Sequence, residues 1–194
     1  PGMKILDCCA APGGKSTHMA ALSGDKADIL ALDINASRTE LIRQNAQRLG
    51  VKCIRTGVAD SSGYDDDKDF DLVLCDAPCS GLGIMGGKPD IRLTITYERI
   101  AEITLKQEQI LDNVSRLVKK GGVLVYSTCT INRGENEEQV MKFMERHPDF
   151  EPEAFDNILP DRLKSSHVNG MLTLLPDEDG CEGFFISRLR RKNG

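Results

Sequence analysis

Short apolar runs alternate along this chain with stretches whose apolar residues recur at helical spacing, which predicts an α/β fold built on a mostly parallel sheet. Lys4–Cys9 reads as a first strand, followed by a Gly-containing turn and a helix from about Lys15 to Leu22. Asp28–Asp33 is a second strand, and its helix runs from about Ser37 to Leu49 with Gly50 as C-terminal cap. Val51–Val58 and Asp71–Asp76 give the third and fourth strands, the fourth carrying Leu72, Val73 and Leu74 into the core. A polar loop spans Pro78 to Thr96. The segment from about Tyr97 to Lys119 has helical period, and Gly121-Gly122 ends it before a fifth strand at Val123–Ser127. Asn136–Arg146 is a further helix. Met171–Leu175 and Gly183–Leu189, separated by Pro176–Cys181, read as a closing antiparallel hairpin. No repeat, low-complexity tract or linker interrupts the series, so residues 1–194 read as one domain.

In open sheets of this kind, ligands bind beyond the carboxyl ends of the strands. The Pro-, Gly- and Cys-rich segments fall there: Cys9–Gly14, Asp33, Asp60, Asp76–Gly81 and Ser127–Thr130. The turn Ala10-Ala11-Pro12-Gly13-Gly14-Lys15-Ser16-Thr17 contains a Gly-Lys-Ser run, but a phosphate-binding loop requires Gly where Cys9 stands. The dinucleotide fingerprint G-x-G-x-x-G is missing too. What remains is a Gly-rich strand-to-helix turn that lets a ligand approach the backbone. Asp33 closes the second strand, where an acid accepts both hydroxyl hydrogens of a ribose. A ribose acid without a phosphate fingerprint points to S-adenosylmethionine, which has a ribose and no phosphate. Asp33 also fits a plainer role as N-terminal cap of the next helix, and both readings stay open.

Composition then narrows the partners. Nothing approaches the roughly 18 apolar residues of a membrane span, and no basic-then-apolar leader is seen. The seven cysteines are odd in number, form no C-x-x-C pair and are joined by only three histidines. Neither a disulfide framework nor a metal site is expected, and reduced thiols point to the cytoplasm. The net charge of −5 runs against unaided binding to nucleic acid, which normally uses a basic surface.

Two thiols stand apart from the rest. Cys8, Cys53 and Cys75 lie in apolar stretches and read as small hydrophobes, while Cys181 falls in a loop and takes no role. Cys79 follows the fourth strand in Asp76-Ala77-Pro78-Cys79-Ser80-Gly81, and Cys129 follows the fifth in Tyr126-Ser127-Thr128-Cys129-Thr130. If those strands are neighbours, both thiols face one cleft. These two pieces, with Asp7-Cys8-Cys9-Ala10-Ala11-Pro12-Gly13-Gly14-Lys15 and the continuation Gly134-Glu135-Asn136-Glu137, resemble the Sun (nucleolar protein) family of RNA 5-methylcytosine methyltransferases. They look most like its bacterial type, which modifies 16S ribosomal RNA. The similarity runs from the first strand to Glu182-Gly183-Phe184-Phe185, and Leu72 departs at a position often basic or small in the family.

The resemblance implies a Rossmann-like methyltransferase fold that binds S-adenosylmethionine and acts on RNA. It also implies an N-terminal RNA-binding region outside these 194 residues. By the same resemblance Cys129 attacks the base, Cys79 assists release of the product, and Asp76 touches the base or the methyl donor. The methyl-donor site would comprise Cys9, Ala10, Ala11, Pro12, Gly13, Gly14, Lys15, Asp33, Asp60 and Asp76. Asp60 would meet the adenine amino group, or else simply begin the Ser61-Ser62-Gly63 turn.

The chemistry explains the residue types. Carbon 5 of cytosine is a poor nucleophile until a thiolate adds to carbon 6, and an acid near the ring nitrogen assists that addition. An ordinary thiol is only about 3% ionised at pH 7, so Lys15 or a helix N-terminus is expected to depress the pKa of the nucleophile. The target base must also be unstacked. DNA cytosine-5 methyltransferases attack from a Pro-Cys motif, so the residues alone do not assign the two thiols. Two other functions fit the motifs less well. Exocyclic-amine methyltransferases commonly use [Asp/Asn]-Pro-Pro-aromatic where this chain has Asp76-Ala77-Pro78-Cys79, and a non-catalytic RNA scaffold would have lost a cysteine.

Overall fold

The structure, a computed structural model, describes residues 1–67 and 69–194. In chain order its first elements are β1 (Lys4–Asp7), α1 (Gly14–Leu22), β2 (Asp28–Asp33), α2 (Ala36–Arg48), β3 (Ile54–Val58) and β4 (Phe70–Asp76). There follow α3 (Ile91–Thr94), α4 (Tyr97–Ser115), β5 (Val118–Thr128), α5 (Glu137–Arg146) and β6 (Phe150–Pro152). The last are β7 (His167–Val168), β8 (Met171–Leu174), α6 (Pro176–Asp179) and β9 (Phe184–Arg191).

Parallel strands covered on both faces need near-continuous apolar sequence, and β1, β2 and β4 have it. Successive side chains then point to opposite layers. Ile5 and Ile29 face α1, packing with Met19 and Ala20. Ala10 and Ala31 pack with Ile42 of α2. Leu6 and Leu30 face the other way, into a larger cluster with Ile110, Leu111 and Val114 of α4 and Val140 and Phe143 of α5. Phe143 is fully buried there, and truncating such a ring to alanine typically costs about 3–5 kcal/mol.

The sheet order is β3-β2-β1-β4-β5-β9-β8-β7, with β6 pairing to β9. β3 to β5 are parallel neighbours, whereas β9 runs antiparallel to β5 and β8. The expected closing hairpin is therefore present, with Met171 opposite Ser187. Strand order reverses at β1, which lies between β2 and β4, and that reversal opens a crevice at the carboxyl ends of the strands.

One element differs from the sequence expectation in kind. α4 ends at Ser115 rather than Lys119, and β5 begins at Val118 rather than Val123. Val118 is wholly buried opposite Phe70, and the β4–β5 register shifts between Phe70 and Leu72. Gly121, at φ 72°, lets the strand absorb this irregularity, so Gly121-Gly122 is part of a strand and not a helix cap. The expected loop from Pro78 to Thr96 holds a 3-10 turn at Leu82–Ile84 and α3. Among the described residues, no helix is long and apolar enough to cross a membrane.

Candidate active site

β1 ends at Asp7 and passes through a tight turn into α1. Gly13 has φ 102°, and a Cβ there would lie 3.1 Å from the Cα of Ile42, so α2 packs directly on the turn. α2 also holds the turn's carbonyls: Arg38 donates to the oxygen of Ala11 at 3.1 Å and Asn45 to that of Pro12 at 2.8 Å. Beneath them Asp7 is fully buried and accepts from the Ser16 hydroxyl at 2.5 Å. Burial pushes its carboxyl up to about 7.

A cavity of about 250 Å³ opens beside this turn, in the crevice between β1 and β4. Of the residues expected at a methyl-donor site, Cys9, Ala11, Asp33, Asp60 and Asp76 line it, and Cys79 and Cys129 close one part of its wall. Ile34, Pro78 and Ile110 supply apolar surface. Ala10, Pro12, Gly13, Gly14 and Lys15 are not on the wall: Ala10 is buried against Ile42, and the rest shape the turn or the start of α1.

Asp33 is almost completely buried. It accepts from the backbone N–H of Asn35 at 3.0 Å and faces Arg38 at 3.5 Å. It does not cap α2. Asn35 does so, accepting from the N–H of Ser37 at 2.9 Å, because β2 delivers Asp33 two residues too early to reach the helix N-terminus. Asp60 does begin the expected turn, accepting from the Ser62 N–H at 2.9 Å. It also pairs with Lys106 at 2.9 Å, which draws its carboxyl down to about 2.

Cys79 and Cys129 leave adjacent strands, and their sulfurs lie 3.3 Å apart. Asp76, between them and the turn, accepts from Lys15 Nζ and from Ser127 Oγ, each at 2.7 Å. Cys129 is held on both sides by one residue. Asn136 accepts from the Thr128 hydroxyl at 2.6 Å and donates to the Thr130 carbonyl at 2.9 Å. The Cys129 thiol is drawn down to about 7, chiefly because Cys79 donates its S–H to the sulfur. Lys15 adds a lesser attraction, and Asp76 and burial oppose the shift. This amends the expectation that Lys15 or a helix N-terminus sets the ionisation. Cys79, the deeper of the two, is pushed up by that contact and by burial. Cys8 is buried and also shifted up, by contact with Cys75, whereas Cys53 is only half-buried and Cys181 is exposed.

Sequence reasoning missed Arg38, Lys106, Gln107 and the role of Glu135. The first two pair with acids on other elements, at Asp33 and Asp60. Their only signal in the sequence is a basic residue on a helix next to the sheet. Among the described residues, no group of three or more His, Cys, Asp or Glu side chains is placed to hold a metal ion.

The chain is similar to known proteins along almost its whole length. A family model described as 16S rRNA methyltransferase RsmB/F matches residues 1–190. A probable ribosomal RNA small subunit methyltransferase B of Bacillus subtilis is 41% identical over 192 residues, covering 97% of this chain and 43% of the relative. A ribosomal RNA small subunit methyltransferase F of Salmonella agona is 37% identical, covering 97% and 40%. The crystal structure of NSun6 from Pyrococcus horikoshii with SFG superposes with a TM-score of 0.85 at 34% identity, over 97% of this chain and 48% of that one. The chain thus spans less than half the length of these relatives.

Proposed function

We propose, from the premise that this chain belongs to the RsmB/F family of 16S rRNA methyltransferases, that it transfers a methyl group from S-adenosylmethionine to carbon 5 of a cytosine in ribosomal RNA. The observation that carries the reading is the Cys79–Cys129 pair, 3.3 Å apart on the wall of a cavity that also holds Asp33, Asp60 and Asp76. The cavity suits the donor: a buried acid at the end of β2 for the ribose, apolar walls at Ile34, Pro78 and Ile110, and no phosphate loop. When bound, the donor supplies a sulfonium methyl that carbon 5 attacks.

The protein's part follows from its own groups. Cys129, half ionised near neutral pH, forms a bond to carbon 6 while the carbon 5–carbon 6 electron pair moves toward carbon 5. As the ring nitrogen takes up a proton from solvent during the addition, Asp76, fixed by Lys15 and Ser127, accepts the hydrogen bond from that N–H and steadies the adduct. After transfer a base takes the carbon-5 proton, the C–H electrons rebuild the double bond, and the carbon–sulfur bond breaks. Cys79 gives the departing thiolate a hydrogen-bond donor. Residues 1–194 act here as one catalytic domain, and part of the RNA grip comes from further protein, in keeping with the net charge of −5.

The test is methyl transfer to 16S ribosomal RNA by the full-length protein, the parent for each variant, followed by a denaturing gel. Cys129→Ala abolishes both transfer and any covalent protein–RNA band, whereas Cys79→Ala methylates but accumulates the band. The double variant loses it. A band in Cys129→Ala and none in Cys79→Ala would move the nucleophile to Cys79. No methylation of any cytosine by the parent protein would overturn the reading.

A further inference from the structure

Cys79 and Cys129 sit on separate loops, and nothing covalent fixes the distance between their sulfurs. The residues that follow them do. Ser80 Oγ and Thr130 Oγ1 are 2.8 Å apart, both wholly or nearly buried. Ser80 donates its N–H to Glu135 Oε1 at 2.8 Å and its hydroxyl to Glu135 Oε2 at 2.5 Å. Each hydroxyl has a single hydrogen. With the Ser80 hydrogen given to Glu135, the Thr130 hydroxyl donates to Ser80, the nearer of its two acceptors, with Glu135 Oε2 at 3.4 Å, and the Asn132 N–H supplies Thr130 in turn at 3.3 Å. The result is a directional chain from Asn132 through Thr130 and Ser80 to Glu135. Gln107 completes it, donating to Glu135 Oε1 at 3.2 Å and to the Pro78 carbonyl at 2.8 Å. Cys79 is thereby anchored through both neighbours, Pro78 and Ser80.

We infer that Glu135 is a positioning residue, the fixed point that sets the spacing of the two thiols. It is wholly buried, and its carboxylate bonds to Ser80, Gln107 and Thr130. It comes from the loop before α5, and Tyr126 of β5 donates its hydroxyl to the Glu135 carbonyl at 2.7 Å. β5 and the Cys79 loop therefore meet at one residue. A carboxylate suits this place because both of its oxygens accept, whereas an amide would turn a donor toward Ser80, whose N–H and O–H both donate. The inference rests on the proposed function only for its importance, since the spacing is a property of the free protein.

Phenylarsine oxide tests it, because the arsenic bonds two thiol sulfurs at once and releases one water, with no change in oxidation state. Capture is scored by mass on the bridged peptides of Cys79 and Cys129, with Cys79→Ala as the zero. Glu135→Gln is expected to weaken capture about tenfold or more, the size of one charge-assisted hydrogen bond. Thr130→Val, equal in shape but without the hydroxyl, weakens it in the same direction, and Thr130→Ser restores it. If Glu135→Gln does not fold, the Thr130 pair decides. A merely structural role would lower the melting temperature and leave capture unchanged well below it. Capture within about twofold of the parent in the folded variants overturns the inference. RNA and methyl donor are both left out, so failure here and failure of the methyl-transfer reading are distinguishable.

Discussion

Cys129 is drawn from an ordinary 9.0 to about 7 mainly by the Cys79 S–H, so Cys79→Ala should return it toward 9.0. At pH 7 the ionised fraction then falls from about one half to about 1%, roughly fiftyfold. Reactivity falls by less, because a more basic thiolate is a better nucleophile. At 0.4–0.5 logarithmic units per pKa unit, a two-unit rise gives back about eightfold. The net expectation is about sixfold slower attack on a small neutral disulfide at pH 7. At pH 10 both forms are ionised and the order reverses, with the variant about sevenfold or more faster. Crossing rate profiles are therefore the signature. The assay follows loss of the free Cys129 thiol by acid quench and peptide mass over pH 5 to 10. Cys79→Ser, which keeps a donor, should stay near the parent. Superimposable profiles for parent and Cys79→Ala would refute the idea that the second thiol activates the first.

Three further outcomes follow from the geometry. The raised pKa of Asp7 means that its stabilising contribution is complete below about 3.8 and is lost as pH rises through about 7. Asp7→Asn should therefore flatten the fall in thermal stability between pH 5 and 8, an effect of up to about 3 kcal/mol over that window, and an unchanged slope would count against it. Gly83→Ala should destabilise by about 2 kcal/mol or more in urea unfolding, because its Cβ would lie 2.2 Å from the Gly183 carbonyl oxygen and 2.8 Å from that of Cys129. Asp33→Ala should weaken S-adenosylmethionine binding at least about tenfold by calorimetry, and equal binding would remove Asp33 from the donor site.

The strands were legible because burial on both faces writes itself as runs such as Ile29-Leu30-Ala31-Leu32. The thiol cleft was legible for a related reason: two Cys-bearing turns follow two apolar strands, and those strands prove to be parallel neighbours. The start of β5 was not legible. Leu117, Val118, Lys119 and Lys120 continue a helical rhythm, and only the buried partner Phe70, far away in sequence, makes Val118 a strand residue. The same holds around Glu135, whose partners Ser80, Gln107 and Tyr126 come from three other elements. Polar networks of that reach carry no periodicity. Local sequence can mark the candidate site residues while hiding those that hold them still.

The antiparallel strand β9 has a consequence for biosynthesis. It is the latest of the elements to leave the ribosome, yet it pairs along β5 up to Thr128, opposite Phe185. Gly183, just before it, donates its N–H to the Gly83 carbonyl at 2.8 Å, and Gly83 in turn donates to the carbonyl of Cys129 at 3.1 Å. Until β9 emerges, β5 is an open edge and the backbone beneath the thiols lacks its final support. A nascent chain stalled before Gly183 would hold the parallel half of the sheet but lack the Gly183–Gly83 hydrogen bond that backs the Cys129 carbonyl, so the backbone around the two thiols is complete only after β9 has emerged.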